Sequence, residues 1–223
     1  MEGLVRRMPV VNDVTAPVMP EIRASIGVTG HRAKHPLYLA NAEQIESVLA
    51  ALFELIDQAI RDAPLLLGAD SLAPTRLHTL LVDGTDQAAA QLALAKGWEL
   101  VSPLPFGERL NLAINAMPEN AADARAILNG DLAQDSPTAR RAEAINVVAR
   151  HTRLFELADQ DKTIERLYLT MLDAPDDFAK AQAFALESAQ RASLAGRILI
   201  EQSDILVAVW DGQSAANIGG AGH

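Results

Sequence analysis

The chain contains no cysteine. Disulfides and thiolate metal sites are thereby excluded as sources of its stability. Aromatic residues make up only 4% of its 223 residues, and alanine and leucine dominate instead. Such a composition favours helices packed on a sheet. No run of about eighteen apolar residues occurs, so no segment reads as a membrane-spanning helix. Met1 to Arg7 carries charge, but Pro9, Pro17 and Pro20 follow where a signal peptide would place its apolar stretch. A basic stripe is also missing, and the formal net charge is −10. That balance argues against nucleic acid as the main partner. A single anionic nucleotide is still compatible, because backbone N–H groups and one arginine can hold it locally. The expectation is a soluble cytoplasmic protein without a membrane or nucleic-acid partner.

What is present is a 49% hydrophobic chain, long enough for one α/β domain with a real core. Its last stretch organises the rest. Ser203-Asp204-Ile205-Leu206-Val207-Ala208-Val209-Trp210 is apolar and ends abruptly at Asp211-Gly212, and Gly219, Gly220 and Gly222 follow. The apolar run reads as a strand buried on both faces, of the kind found inside a parallel sheet. The glycines read as a loop whose backbone can approach a ligand closely. Such a loop at the carboxyl end of a buried strand is where open α/β sheets hold phosphates.

Residues 1–20 read as a flexible lead-in, with proline, Asn and Asp and no periodicity. Arg23 to Val28 is the first predicted strand, breaking at Thr29-Gly30-His31-Arg32. Residues 42–62 predict a helix, with Ile45, Val48, Leu49, Leu52, Phe53, Ile56 and Ile60 spaced by three and four. Pro64 to Pro74 reads as a loop. Thr75 to Val82 then predicts a strand and Asp83-Gly84-Thr85-Asp86 a turn, with Thr85 or Asp86 placed to cap a helix over Gln87–Lys96. Gly97 stops that helix, and Trp98 to Val101 is the next strand, closed by Pro103-Leu104-Pro105. Further on, helices are predicted near 119–128, 137–150 and 162–172, and Thr152–Ala158 reads as a short strand in preference to a continuation of the helix before it. Asp176 or Asp177 caps a long helix to about Gln202, whose small apolar line of Ala181, Ala185, Ala189, Ala192 and Ala195 suits close packing on a sheet.

Strands joined by helices of this length imply parallel pairing. Three turns would then share one edge: Thr29-Gly30-His31-Arg32, Gly84-Thr85-Asp86, and Asp211-Gly212 with the glycine loop. Each glycine alone reads most simply as a turn; their coincidence on one edge points to a crevice. Arg32 suits a phosphate or carboxylate, or is a surface arginine. His31 reads as a hydrogen-bonded loop histidine, Asp86 as a cap or a ligand contact, and Asp211 as a ribose contact or a turn cap. Trp210 is expected in the core. His35, His78 and His151 show no metal-ligand spacing with carboxylates, so neither a metal nor a cofactor is expected. No nucleophile–base pair and no Walker-type phosphate loop is visible.

Three blocks resemble the SLOG superfamily of Rossmann-like nucleotide-binding proteins, which includes the LOG-type phosphoribohydrolases, the DNA-processing protein A family and sensor domains of bacterial conflict systems. They are Ile26-Gly27-Val28-Thr29-Gly30-His31-Arg32, the span from Asp83-Gly84-Thr85-Asp86 through Gly97-Trp98 to Pro103-Leu104-Pro105-Phe106, and Ser203 to Gly212. They come in the family's order. The resemblance implies a three-layer Rossmann-like domain over 21–223 with a mainly parallel sheet and a divergent, mostly helical insertion at about 110–175. It also implies a helix and a further strand after the glycine loop, so the C-terminus is expected to be incomplete. Where the family places a loop threonine, this chain has Ala221 or His223, depending on register. The family's hydrolases use a glutamate a few residues later, beyond His223.

The implied function is therefore binding of a nucleotide-like small molecule in a sensor role. The ligand set is Thr29, Gly30, His31, Arg32, Gly84, Thr85, Asp86, Asp211, Gly212, Gly219, Gly220 and Gly222. A nucleoside monophosphate phosphoribohydrolase, with Arg32 and Asp86 as the nameable catalytic candidates, and a ligand-free interaction scaffold are the alternatives. The family commonly dimerises, so a homo-oligomer is expected.

Overall fold

The computed structural model describes residues 21–67, 72–131 and 136–212. The predicted lead-in and the loop carrying Gly219, Gly220 and Gly222 lie outside the described residues. In chain order the elements are β1 (Ser25–Gly30), α1 (Pro36–Leu67), β2 (Arg76–His78), α2 (Thr85–Ala95), β3 (Glu99–Leu104), α3 (Glu108–Asn115) and α4 (Ala121–Asn129). There follow α5 (Pro137–Ala149), β4 (Thr152–Glu156), a 3-10 turn (Ala158–Gln160), α6 (Asp161–Asp173), α7 (Phe178–Glu201) and β5 (Ile205–Val209). The five strands form one parallel sheet in the order β4-β3-β2-β1-β5. Helices cover both faces, which makes the fold a three-layer, Rossmann-like α/β domain, as the alternation of strands and helices predicts.

Strand alternation builds the layers. On one face Ile26 and Val28 of β1, Leu77 of β2 and Leu100 and Leu104 of β3 pack against Leu49 and Phe53 of α1 and the alanines of α2. Trp98 seals the end of this core, stacking on Phe53 at 4.9 Å between ring centroids while its indole N–H donates to Asp57 at 3.1 Å. On the opposite face Gly27 admits α7. A Cβ there would overlap Ser203 Oγ and lie 2.9 Å from Leu199 Cδ2. Beside the sheet, Phe106 and residues of α3, α4 and α6 make a second core, in which the Tyr168 hydroxyl donates to the Ala113 carbonyl at 3.0 Å. The span predicted as a helical insertion is mostly helical, yet it also supplies β4, an edge strand of the sheet.

Local chemistry explains where the elements stop. Helix α2 ends in a Schellman turn: Trp98 N–H donates to the Ala93 carbonyl and Gly97 N–H to the Leu94 carbonyl, with Gly97 at φ 73°. Asp177 caps α7 by accepting from the Ala179 and Lys180 amides. Pro103 lies within β3, although the sequence places it at a strand end. Val101 faces β2 through its carbonyl, and Leu104 faces β4. Alternation therefore turns the Pro103 nitrogen toward β2, which has already ended at His78, so the missing N–H costs no ladder bond.

Several expectations are corrected. The helix predicted over 42–62 runs from Pro36 to Leu67, broken only by non-helical geometry at Asn41. Pro64 is accommodated inside it, within its last turn. The strand predicted to reach Val82 stops at His78: Thr79 N–H still donates to the Val101 carbonyl, but Leu80 N–H donates to the Asp86 carboxylate and Leu81 takes φ 54°. Neither Thr85 nor Asp86 caps α2; Gly84 occupies the cap position without a side-chain bond, and both residues are already helical.

The final strand is not buried on both faces. Among the described residues β5 pairs only with β1, at the sheet edge. Ile205 and Leu206 are each 44% exposed, and Trp210, expected in the core, is 53% exposed. Phe178, Leu186, Leu194 and Ile200 of α7 are also exposed, so its apolar line meets the sheet only toward the C-terminal end, at Ala195 and Leu199.

Candidate functional site

Because every strand pairing is parallel, the carboxyl ends of all five strands lie on one rim. The chain lays down β1 to β4 in one direction, then crosses back through α6 and α7 to place β5 on the other side of β1. The junction of β1 and β5 is a topological switch point, where open sheets leave a crevice for ligands. The segments that follow these two strands do meet there: His31 Nε2 lies 3.8 Å from Asp211 Oδ2.

The Gly84 turn supports the rim from beneath. Thr85 donates to the His31 carbonyl from both its backbone N–H and its hydroxyl, each at 3.1 Å. The contact is close because two glycines remove side chains from it. A Cβ on Gly30 would sit 2.6 Å from Thr85 Oγ1, and one on Gly84 would sit 2.5 Å from the His31 carbonyl oxygen. Gly84, Thr85 and Asp86 are all buried. Asp86, 2% exposed, accepts from the Thr79 hydroxyl at 3.0 Å and from the Leu80 amide at 2.9 Å. Burial is the largest influence on its acidity and pushes its pKa from 3.8 up to about 6; the two hydrogen bonds and the Arg32 charge oppose this, and Asp83 adds to it.

Arg32 points the other way, into an open cleft. Its Nε donates to Asp83 Oδ1 at 2.8 Å and its Nη2 to Asn115 Oδ1 at 2.6 Å. Asn115 is itself fixed by donating to the Asn111 carbonyl at 2.8 Å. The guanidinium is thus held by two elements distant in sequence while its side chain stays 36% exposed. The cleft has a volume of ≈ 900 Å³ and is bounded by Arg32, Lys34, Phe106, Asn115 and the Ala/Gln/Ser-bearing first half of α7. The small residues of α7 therefore line a cavity there rather than pressing on the sheet.

Of the predicted ligand residues, the structure brings Thr29, Gly30, His31, Arg32, Asp211 and Gly212 to the switch-point rim, with Gly212 at φ 81°. It places Gly84, Thr85 and Asp86 underneath it. Sequence reading missed Lys34, Asp83 and Asn115. Lys34 and Asp83 adjoin predicted turns and were legible as neighbours, whereas Asn115 belongs to α3, a helix that was not separately predicted. It also missed a convergence at the rim. His31, His35 and Asp211 each offer a ligand atom, and these atoms lie within 4.8 Å of one another. The two imidazoles are stacked, 3.9 Å apart and 7° from parallel.

Fold and site together define a doubly wound α/β protein with an open, largely apolar cleft, bordered by Arg32 and Lys34, at the carboxyl edge of its sheet. No family model matches the chain, and searches of curated proteins and of solved structures return no match.

Proposed function

We propose that this protein binds a nucleotide or nucleotide-derived anionic small molecule in the cleft at the carboxyl edge of the sheet, in a sensing or regulatory role. The observation that carries this reading is Arg32, held in place by Asp83 and Asn115 at the border of a ≈ 900 Å³ cleft. A pre-positioned guanidinium is a good phosphate ligand because little of its freedom remains to be lost on binding. Lys34, exposed at the same border, adds a second positive charge. The apolar and small polar wall from Phe106 and α7 suits a base and ribose. The resemblance to the SLOG superfamily belongs to the same proposal.

Binding is favoured over N-glycosidic cleavage because Asp86, the nameable carboxylate for that chemistry, is buried beneath the rim and engaged by Thr79 and Leu80. The test is calorimetric titration of the full chain with AMP, ADP, cyclic dinucleotides and adenosine. At least one phosphorylated compound is expected to bind, and adenosine to bind at least tenfold more weakly. Arg32→Ala should cost about 10- to 100-fold in affinity, the worth of a charged hydrogen bond or two. Ala189→Trp should abolish binding by filling the cleft. No binding by any phosphorylated compound, or equal affinity in Arg32→Ala, refutes the reading.

A further inference from the structure

We propose that His31, His35 and Asp211 form a binding site for a divalent first-row transition metal ion, of which zinc is the representative. This inference goes beyond the cleft and does not depend on what the cleft binds.

Two observations converge. The first is the donor set, two imidazoles and one carboxylate with ligand atoms within 4.8 Å of one another. A tetrahedral metal with bonds of about 2.0–2.1 Å needs its ligands about 3.4 Å apart. Each imidazole lone pair lies in its ring plane, so the cluster must close and one of the stacked rings must turn to complete the shell. The second concerns the nitrogens. His31 Nε2 and His35 Nδ1 are both shielded from solvent and have no hydrogen-bond partner among the described residues. Buried polar atoms ordinarily find partners, and a cation shared between them is one that imidazole nitrogen readily accepts.

Chain connectivity supports this placement. His31 and His35 are four residues apart in the turn after β1, and Asp211 arrives from the far end of the chain after β5. The site therefore exists only once β5 has paired with β1. Two histidines and a carboxylate leave coordination positions open, as in zinc sites with an exchangeable fourth position and in two-histidine, one-carboxylate iron sites. Mixed nitrogen and oxygen donors favour Zn²⁺, Co²⁺ or Fe²⁺ over Mg²⁺ and Ca²⁺, which prefer oxygen alone.

The full chain, stripped with chelator and held in nucleotide-free and phosphate-free buffer, is titrated with Zn²⁺ and with Co²⁺. One saturable equivalent is expected, with Co²⁺ giving ligand-field absorption in the visible. Mg²⁺ should not compete. His35→Gln and Asp211→Asn should each weaken Zn²⁺ binding by about 10- to 100-fold or more, while circular dichroism stays that of the parent. Either variant that folds decides the matter. Should both be unfolded, protection of His31 and His35 from diethyl pyrocarbonate by one equivalent of Zn²⁺ in the parent chain decides it instead. Absence of a saturable equivalent, unchanged affinity in a folded variant, or no such protection overturns the proposal. None of these outcomes bears on nucleotide binding in the cleft.

Discussion

Gly84→Ala is expected to lower the free energy of unfolding by about 4 kcal/mol. Two separate costs add here. Gly84 sits at φ 87°, ψ −129°, a conformation open to glycine and closed to residues with a Cβ. Holding alanine there costs about 1–3 kcal/mol. The added Cβ would also lie 2.5 Å from the His31 carbonyl oxygen and 2.6 Å from the Ala33 nitrogen. Both are backbone atoms, which cannot rotate aside as a side chain would, and overpacking of this kind costs about 1–3 kcal/mol more. Gly97→Ala is the control. Its φ of 73° is strained for alanine, but no atom lies within 4 Å of the added methyl. It should therefore cost only about 1–2 kcal/mol. Urea denaturation of both variants measures the difference. If Gly84→Ala costs no more than Gly97→Ala, the close approach of the β1 turn to α2 is not what sets this position.

Asp86 should make the protein lose stability as pH rises from about 4 to 7. Its pKa is raised in the folded state from 3.8 to about 6, mainly by burial. The folded protein thus holds a proton that the unfolded chain has already released in that interval. The resulting stabilisation is complete below the unfolded value and gone above the folded one. At about 1.4 kcal/mol per tenfold, the whole change is about 3 kcal/mol. Asp86→Asn keeps an oxygen to accept from Thr79 and Leu80 but cannot titrate. Other carboxylates titrate in both proteins, so the informative quantity is the difference between the two unfolding profiles. The parent should fall by about 2.4 kcal/mol relative to Asp86→Asn between pH 4 and 7, most of the whole change. Parallel profiles would show that Asp86 is not held in a desolvated site.

The two predictions concern one structural unit, and its parts were unequally legible. That Asp83-Gly84-Thr85-Asp86 is a turn opening a helix followed from residue types alone. That Gly84 matters because another backbone lies against it did not, since the His31 and Ala33 atoms it would strike are more than fifty residues away. Asp86 reads equally as a cap, a ligand contact or a catalytic group from its position. Its burial, and hence its acidity, depends on the Thr79 hydroxyl and the Leu80 amide turning toward it. The strand end at His78 was lost for the same reason: the apolar run continues to Val82, but the amide of Leu80 is claimed by a carboxylate.

Period and punctuation in the sequence determined the alternation of strands and helices, the parallel sheet, the Gly97 stop and a cap at Asp176 or Asp177, because these depend on residues within a few positions of one another. The tertiary structure alone decided which strand lies at the edge, leaving Ile205 and Leu206 half exposed. It alone brought Asn115 and Asp83 onto Arg32, and Asp211 to His31 and His35. Strand order is a choice among packings with the same local pattern, so contacts across it carry no mark in the order of residues.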